Sequence, residues 1–215
     1  MSGYKDYKDP GLVVYPRHKV RIIVATPENF AEYGNFVDNY DDEKVIIEPW
    51  NVSGWRSLMD GTGRDGGITE GEFDYWQDGL YYYAKNNAVG GDYVIARKNV
   101  DSETDLLDNG KRPNILTREA NYHPDGGQVF YPLDKSPFVL MLALPGDDIT
   151  LNSFIGFYFD GTKGCQIKPN IWHQPVFTLN KESKFMTKQG KVHACVGVDT
   201  IEEFGHWLEL DLNII

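Results

Sequence analysis

Two stretches of this chain bring proton-handling and charged side chains to spacings at which they can meet. The first is Glu119-Ala-Asn-Tyr-His-Pro-Asp-Gly-Gly-Gln-Val-Phe-Tyr-Pro132. On an extended strand alternate residues share a face, so Glu119, Asn121 and His123 fall on one side. Pro124-Asp-Gly-Gly127 is a tight turn, and Gln128 and Phe130 open the strand after it. A carboxylate, an imidazole and an amide therefore converge, a combination suited to moving protons on a small polar substrate. In the second stretch the turn Lys168-Pro169-Asn170 leads into Trp172-His173. An amine beside an imidazole suits a carboxylate ligand. A third candidate is Glu70, in a Gly-rich segment expected to form a loop over the pocket.

Each of these side chains also has a purely structural reading. His123 can cap a hairpin, His173 can be a core histidine beside Trp172, and Lys168 can be a solvated turn lysine. Glu119 can be a surface acid, and Glu70 can close its own loop. His18, His193 and His206 have no comparable neighbours and read as structural. The two motifs supply one imidazole each, with Gln128 where an acid would complete a metal site. Such a set holds a borderline divalent ion only weakly. The expectation is no metal ligand and no cofactor.

The elements that must position these groups are mostly strands. Val20 to Ala25 is strand-like, and Thr26-Pro27 caps a short helix that runs through Tyr33 and stops at Gly34. Val45 to Glu48 reads as a short strand. Asn51 to Gly79 is rich in Gly, Asp and Trp and reads as a structured loop. Its Gly61-Thr-Gly-Arg-Asp-Gly-Gly67 run lacks the lysine and the strand–helix context of a phosphate cradle. Leu80 to Lys85 and Asp92 to Arg97 flank a turn and form a hairpin. After a polar connection at 101–112, strands are expected at 115–122, 128–133, 137–144, 154–159, 164–168, 172–179, 191–198 and 206–212. Thr200 to Phe204 fits one helical turn. The pattern is all-β, a sandwich or barrel. Residues 1–17 read as a flexible N-terminal arm and 18–215 as a single domain.

Composition narrows the partners. The 215 residues carry a formal net charge of −11, which disfavours a nucleic-acid partner because phosphate binding needs a basic stripe. Met1 to Asp9 is polar, so no secretory leader is expected there, and the longest apolar run, Pro137 to Pro145, is too short to span a bilayer. Two cysteines, Cys165 and Cys195, do not make a disulfide framework. A cytoplasmic protein with no membrane partner is the expectation.

His123-Pro124-Asp-Gly-Gly-Gln128-Val-Phe130-Tyr-Pro132, followed by the apolar strand Pro137 to Leu144 and then by Asn170-Ile-Trp172-His173-Gln-Pro175, resembles the ureidoglycolate lyase family. Pro27-Glu-Asn-Phe-Ala-Glu-Tyr-Gly34 looks like that family's opening helix. The resemblance covers about residues 20–40 and 113–212. It implies a cupin-type β-barrel or jelly roll, here with a short N-terminal helix and an elaborated Gly-rich loop and hairpin region. It also implies a homodimer that cleaves ureidoglycolate, a small carboxylate, into glyoxylate and urea in allantoin and purine catabolism. By analogy Lys168 anchors the carboxylate, Gln128 orients the substrate and Glu70 lies over it. His173 handles a proton, with His123 or Glu119 as its counterpart. The chain departs from the family at Ile167-Lys168 and at Gln174, and in the length of the 51–100 region. A cupin acting on another hydroxy acid or sugar, metal-dependent or not, and a non-enzymatic binding module stay open beside it.

Overall fold

The apolar run near the middle of the chain becomes a strand that is buried along its whole length, Phe138–Ala143. In this computed structural model the residues described are 7–48, 54–63, 66–103, 112–191 and 193–214. Along them run β1 (Arg17–Lys19), β2 (Arg21–Val24), helix α1 (Pro27–Phe30) and β3 (Gly34–Val37). Next come β4 (Ile68–Asp78), β5 (Tyr81–Asn86), β6 (Gly91–Lys98), β7 (Ile115–Thr117), β8 (Glu119–Tyr122) and β9 (Gln128–Pro132). β10 (Phe138–Ala143), β11 (Ile155–Phe159), β12 (Gly164–Ile167), β13 (Trp172–His173) and β14 (Phe177–Thr178) follow. The chain closes with β15 (Glu182–Gly190), β16 (Val196–Asp199), α2 (Thr200–Phe204) and β17 (Trp207–Leu210).

The fold is all-β and cupin-like. One sheet has ten strands in the order β1-β17-β7-β6-β5-β4-β15-β9-β12-β3. The other has seven, β16-β8-β13-β10-β11-β2 with β14 also on β10. Neither order returns to its start, so the sheets stand open. Their inner faces share one apolar core. Phe138 of the smaller sheet stacks on Phe159 at 4.8 Å and meets Phe185 of the larger sheet edge-on at 5.2 Å. Such contacts add to the burial of the rings themselves.

Several expectations change. The Gly-rich segment is not all loop, because residues 68–78 form an 11-residue strand paired with both β5 and β15. Phe73 and Tyr75 point inward there, while Glu70, Glu72 and Asp74 alternate with them. β15 falls between the expected strands 172–179 and 191–198. Its inward residues include Ser183, Thr187 and Gln189, which are buried but polar and so mask the period-two signal. The strand expected from residue 191 begins only at Val196. Val45 to Glu48 contributes an isolated bridge, Ile47 to Gly126.

Of the expected arm, residues 1–6 lie outside the described residues, and Tyr7 onward is docked on the body. Leu12 packs with Leu116, Ile201 and Trp207. Asp9 bonds both Arg97 and Tyr81, and Arg17–Lys19 pairs in parallel with β17. Among the described residues no helix is long and apolar enough to cross a membrane.

Candidate active site

β8, β9 and β13 bring the two sequence motifs to one place. His173 pairs with Leu142 of β10 on one side and Asn121 of β8 on the other, which fixes its position across the small sheet. Asn170 adopts φ 64°, so the turn before it reverses tightly. Glu119, Asn121, His123, Gln128 and His173 all line one cleft between the sheets. Its volume is about 460 Å³ including the open mouth. That space suits a small ligand. Phe73, Tyr93, Phe130 and Pro175 supply its apolar wall.

Two of the sequence candidates are elsewhere. Lys168 is solvent-exposed and its Nζ donates to the Ala31 carbonyl at 2.7 Å. The reason is local: α1 ends beside β12, and the lysine satisfies a carbonyl that the helix leaves orphaned. It does not line the cleft. Glu70 sits on β4 rather than on a covering loop, and its carboxylate accepts from the Tyr40 hydroxyl at 3.1 Å, 3.7 Å from Lys188. It too lies outside the cleft lining. No lysine or arginine is among the described lining residues.

Three imidazoles meet in the cleft. His123 lies 4.8 Å, centroid to centroid, from both His173 and His193, edge-on to each. Burial and the two neighbouring imidazoles hold His123 well below the usual histidine pKa, so it is neutral. Neither of its nitrogens makes a hydrogen bond among the described residues. His173 is different. Its Nδ1 lies 2.8 Å from the Ile171 carbonyl and must donate to it, and its Nε2 lies 3.2 Å from the side-chain amide of Gln128. That amide also contacts the Thr187 hydroxyl at 3.0 Å. Burial pulls the His173 pKa down to about 4.

Glu119 stands at the rim. Its side chain keeps solvent access, yet the surrounding protein and then Asp199 raise its carboxyl pKa. Arg118, engaged with Asp199, opposes the rise.

His193 and Cys195 were missed by sequence reasoning. His193 has φ 43°, an uncommon conformation for a residue with a Cβ. Its Nδ1 lies 2.6 Å from the Gln189 amide, which in turn accepts from Asn86 at 3.1 Å. Its Nε2 lies 3.7 Å from the Cys195 sulfur. The one available signal was the His-x-Cys spacing, and nothing in sequence tied it to His123.

These residues fall inside the part of the chain that matches known proteins. Residues 114–204 match the family model of ureidoglycolate lyase. Over this segment the chain is similar to the ureidoglycolate lyase family. Curated relatives include the ureidoglycolate lyases of Salmonella paratyphi B, Salmonella newport and Salmonella agona, each 33% identical over 73 residues. That stretch is 34% of this chain and 46% of each relative. The chain thus spans about half the length of the curated relatives it matches. β4 to β6, which contribute Phe73, Asn86 and Tyr93 to the cleft, lie outside the segment matched by the family model.

Proposed function

We propose that this chain is a carbon–nitrogen lyase that cleaves ureidoglycolate into glyoxylate and urea. What carries the reading is one observation: His123, Gln128, His173 and Glu119 belong to the segment that matches the lyase family, and all line one small cleft. The reaction needs a base for the substrate hydroxyl and an acid for the departing nitrogen. His123 is the base, because it is neutral and its nitrogens are unengaged. As it takes the hydroxyl proton, the oxygen closes to a carbonyl and the C–N electron pair leaves with nitrogen. Glu119, whose raised pKa keeps its proton longer, protonates that nitrogen. Solvent then returns the proton from His123 to Glu119.

His173 takes a supporting part in this scheme. Both its nitrogens are engaged, so it positions Gln128, which orients the ureido group. Lys168 has no part. The substrate carboxylate would meet a neutral donor, the amide of Asn121.

Incubating purified protein with each enantiomer of ureidoglycolate and measuring glyoxylate tests the proposal. Release from one enantiomer supports it, and no release from either removes it. A second reading, a neutral hydroxy amide or sugar as substrate, is favoured by the lack of a lysine or arginine among the described lining residues. Stabilisation by neutral analogues and not by carboxylates in a thermal-shift series would select it. A cytoplasmic homodimer completes the proposal, and light scattering on the purified chain tests the dimer.

A further inference from the structure

The lyase scheme uses His123 as its base and leaves two side chains beside it, His193 and Cys195, without a part. His123, His193 and Cys195 each offer a ligand atom, and these atoms lie within 4.8 Å of one another. We propose that these three residues bind a borderline-soft divalent cation of the zinc class, with a further coordination position open to the cleft. The set differs from the one that the two sequence motifs supply, since it replaces His173 and Gln128 with an imidazole and a thiolate from the loop before β16.

Geometry supports the assignment. At zinc–sulfur and zinc–nitrogen lengths near 2.3 and 2.0–2.1 Å, tetrahedral ligands stand about 3.6 Å apart. The Cys195 sulfur and His193 Nε2 are already 3.7 Å apart. The remaining separations, at most 4.8 Å, need to close by up to about 1.5 Å to reach tetrahedral spacing. Cys195 is held in place from its backbone, with its N–H on the Thr62 hydroxyl at 3.2 Å and its carbonyl accepting from Met59 at 2.8 Å. His123 and His193 line the cleft, so a ligand could complete the coordination from that side.

A second observation points to a cation. Asp125 is 3% exposed, and neither carboxylate oxygen makes a hydrogen bond. The amides of His193 and Ala194 are directed at it but fall short of bonding geometry. No arginine or lysine pairs with it among the described residues. A buried carboxylate without a counter-charge is costly, and a divalent ion on the adjoining residues offsets that cost. On binding, the Cys195 sulfhydryl loses its proton to solvent, and the sulfur lone pair and two imidazole lone pairs make the bonds. Ligation through His193 Nε2 leaves the proton on Nδ1. The Gln189 amide must turn by half a rotation to accept it there, exchanging its present bond from Asn86 for one from the histidine. A cation here would occupy the His123 lone pair that the lyase scheme uses as its base, so the zinc-bound chain should release no glyoxylate until the ion is removed. That last point rests on the lyase reading, while the geometry does not.

The test is metal titration of the full chain after chelator treatment. Zinc should bind at one equivalent, and cobalt(II) should give the intense near-ultraviolet band of a thiolate ligand. Cys195 is the thiol in reach, since Cys165 is sealed in the apolar core. Cys195→Ser should abolish the band, and His123→Asn should weaken zinc at least 10-fold in a competition assay. If Cys195→Ser does not fold, the wild-type cobalt spectrum and His123→Asn decide. Binding below one equivalent, a cobalt complex without the band, or a band that survives Cys195→Ser overturns the site. Glyoxylate release by metal-free protein that takes up no zinc removes the site and keeps the lyase. Stoichiometric zinc binding with no glyoxylate from the metal-free protein does the reverse.

Discussion

His173 and Gln128 face each other across 3.2 Å, and the backbone decides which way the proton sits between them. The Ile171 carbonyl claims Nδ1–H at 2.8 Å, so Nε2 offers a lone pair. Gln128 meets it with its amide nitrogen, and its oxygen then accepts from Thr187, an orientation assigned from this network. The histidine most conspicuous in sequence is thereby committed, and the one beside it, His123, is free.

The two histidines should separate in mutagenesis. His123→Asn removes no hydrogen bond among the described residues, so the melting temperature should stay close to wild type. Turnover of ureidoglycolate should fall by about 10²–10⁴, the usual worth of a positioned acid or base. His173→Asn breaks a buried network and should cost about 1–3 kcal/mol in urea unfolding, as well as turnover. A stable His123→Asn with normal kcat would remove His123 from the mechanism.

Lys168→Ala should leave KM unchanged within about twofold, because its amine is bound to Ala31 outside the cleft. The stability change should stay within about 0.5 kcal/mol, as for exposed positions generally. A rise of 10-fold or more in KM would restore Lys168 as the carboxylate anchor. Steady-state kinetics with varied ureidoglycolate make this comparison.

Asp9 should tie the N-terminal segment down in a pH-dependent way. Burial alone would raise its pKa, but the Gly11 amide, Tyr81 and Arg97 together bring it below the ordinary value. A depressed folded-state pKa gives stability that is present above the unfolded value, near 3.9, and lost as pH falls through the folded value. Asp9→Asn should therefore cost about 0.5–1 kcal/mol at pH 7, the scale of a partly exposed pair. The difference from wild type should shrink below about pH 4. Denaturant midpoints of both proteins at pH 7 and pH 3 would show it. A gap that stays constant would mean that the ion pair contributes nothing.

Gly34→Ala should be among the most damaging small changes. A Cβ there would collide with the Gln166 carbonyl oxygen, where β3 pairs with β12. Backbone must move to admit it, at a cost of about 1–3 kcal/mol. Chemical denaturation reads this directly, and an unchanged midpoint would show that β3 is not held against β12.

What the sequence determined by itself was local. Period-two parity put Glu119, Asn121 and His123 on one face, and the fully apolar run at 137–144 announced a strand covered on both sides. The hairpin of β5 and β6 followed from its turn residues, and Thr26-Pro27 announced α1. Where the inward face is polar, parity gives no such signal. β15 turns Ser183, Thr187 and Gln189 inward, so its alternation of apolar and polar residues vanished, and the glycines of 61–71 hid the start of β4. Tertiary structure alone decided which side chains meet. Lys168 and His173 are five residues apart, yet one satisfies a helix end while the other enters the cleft. His123 and Cys195 are 72 residues apart in the chain and come together because β8 pairs with β16. Spacing along the chain sets what a turn or strand can do, but only strand pairing between distant segments sets the distances at which chemistry happens.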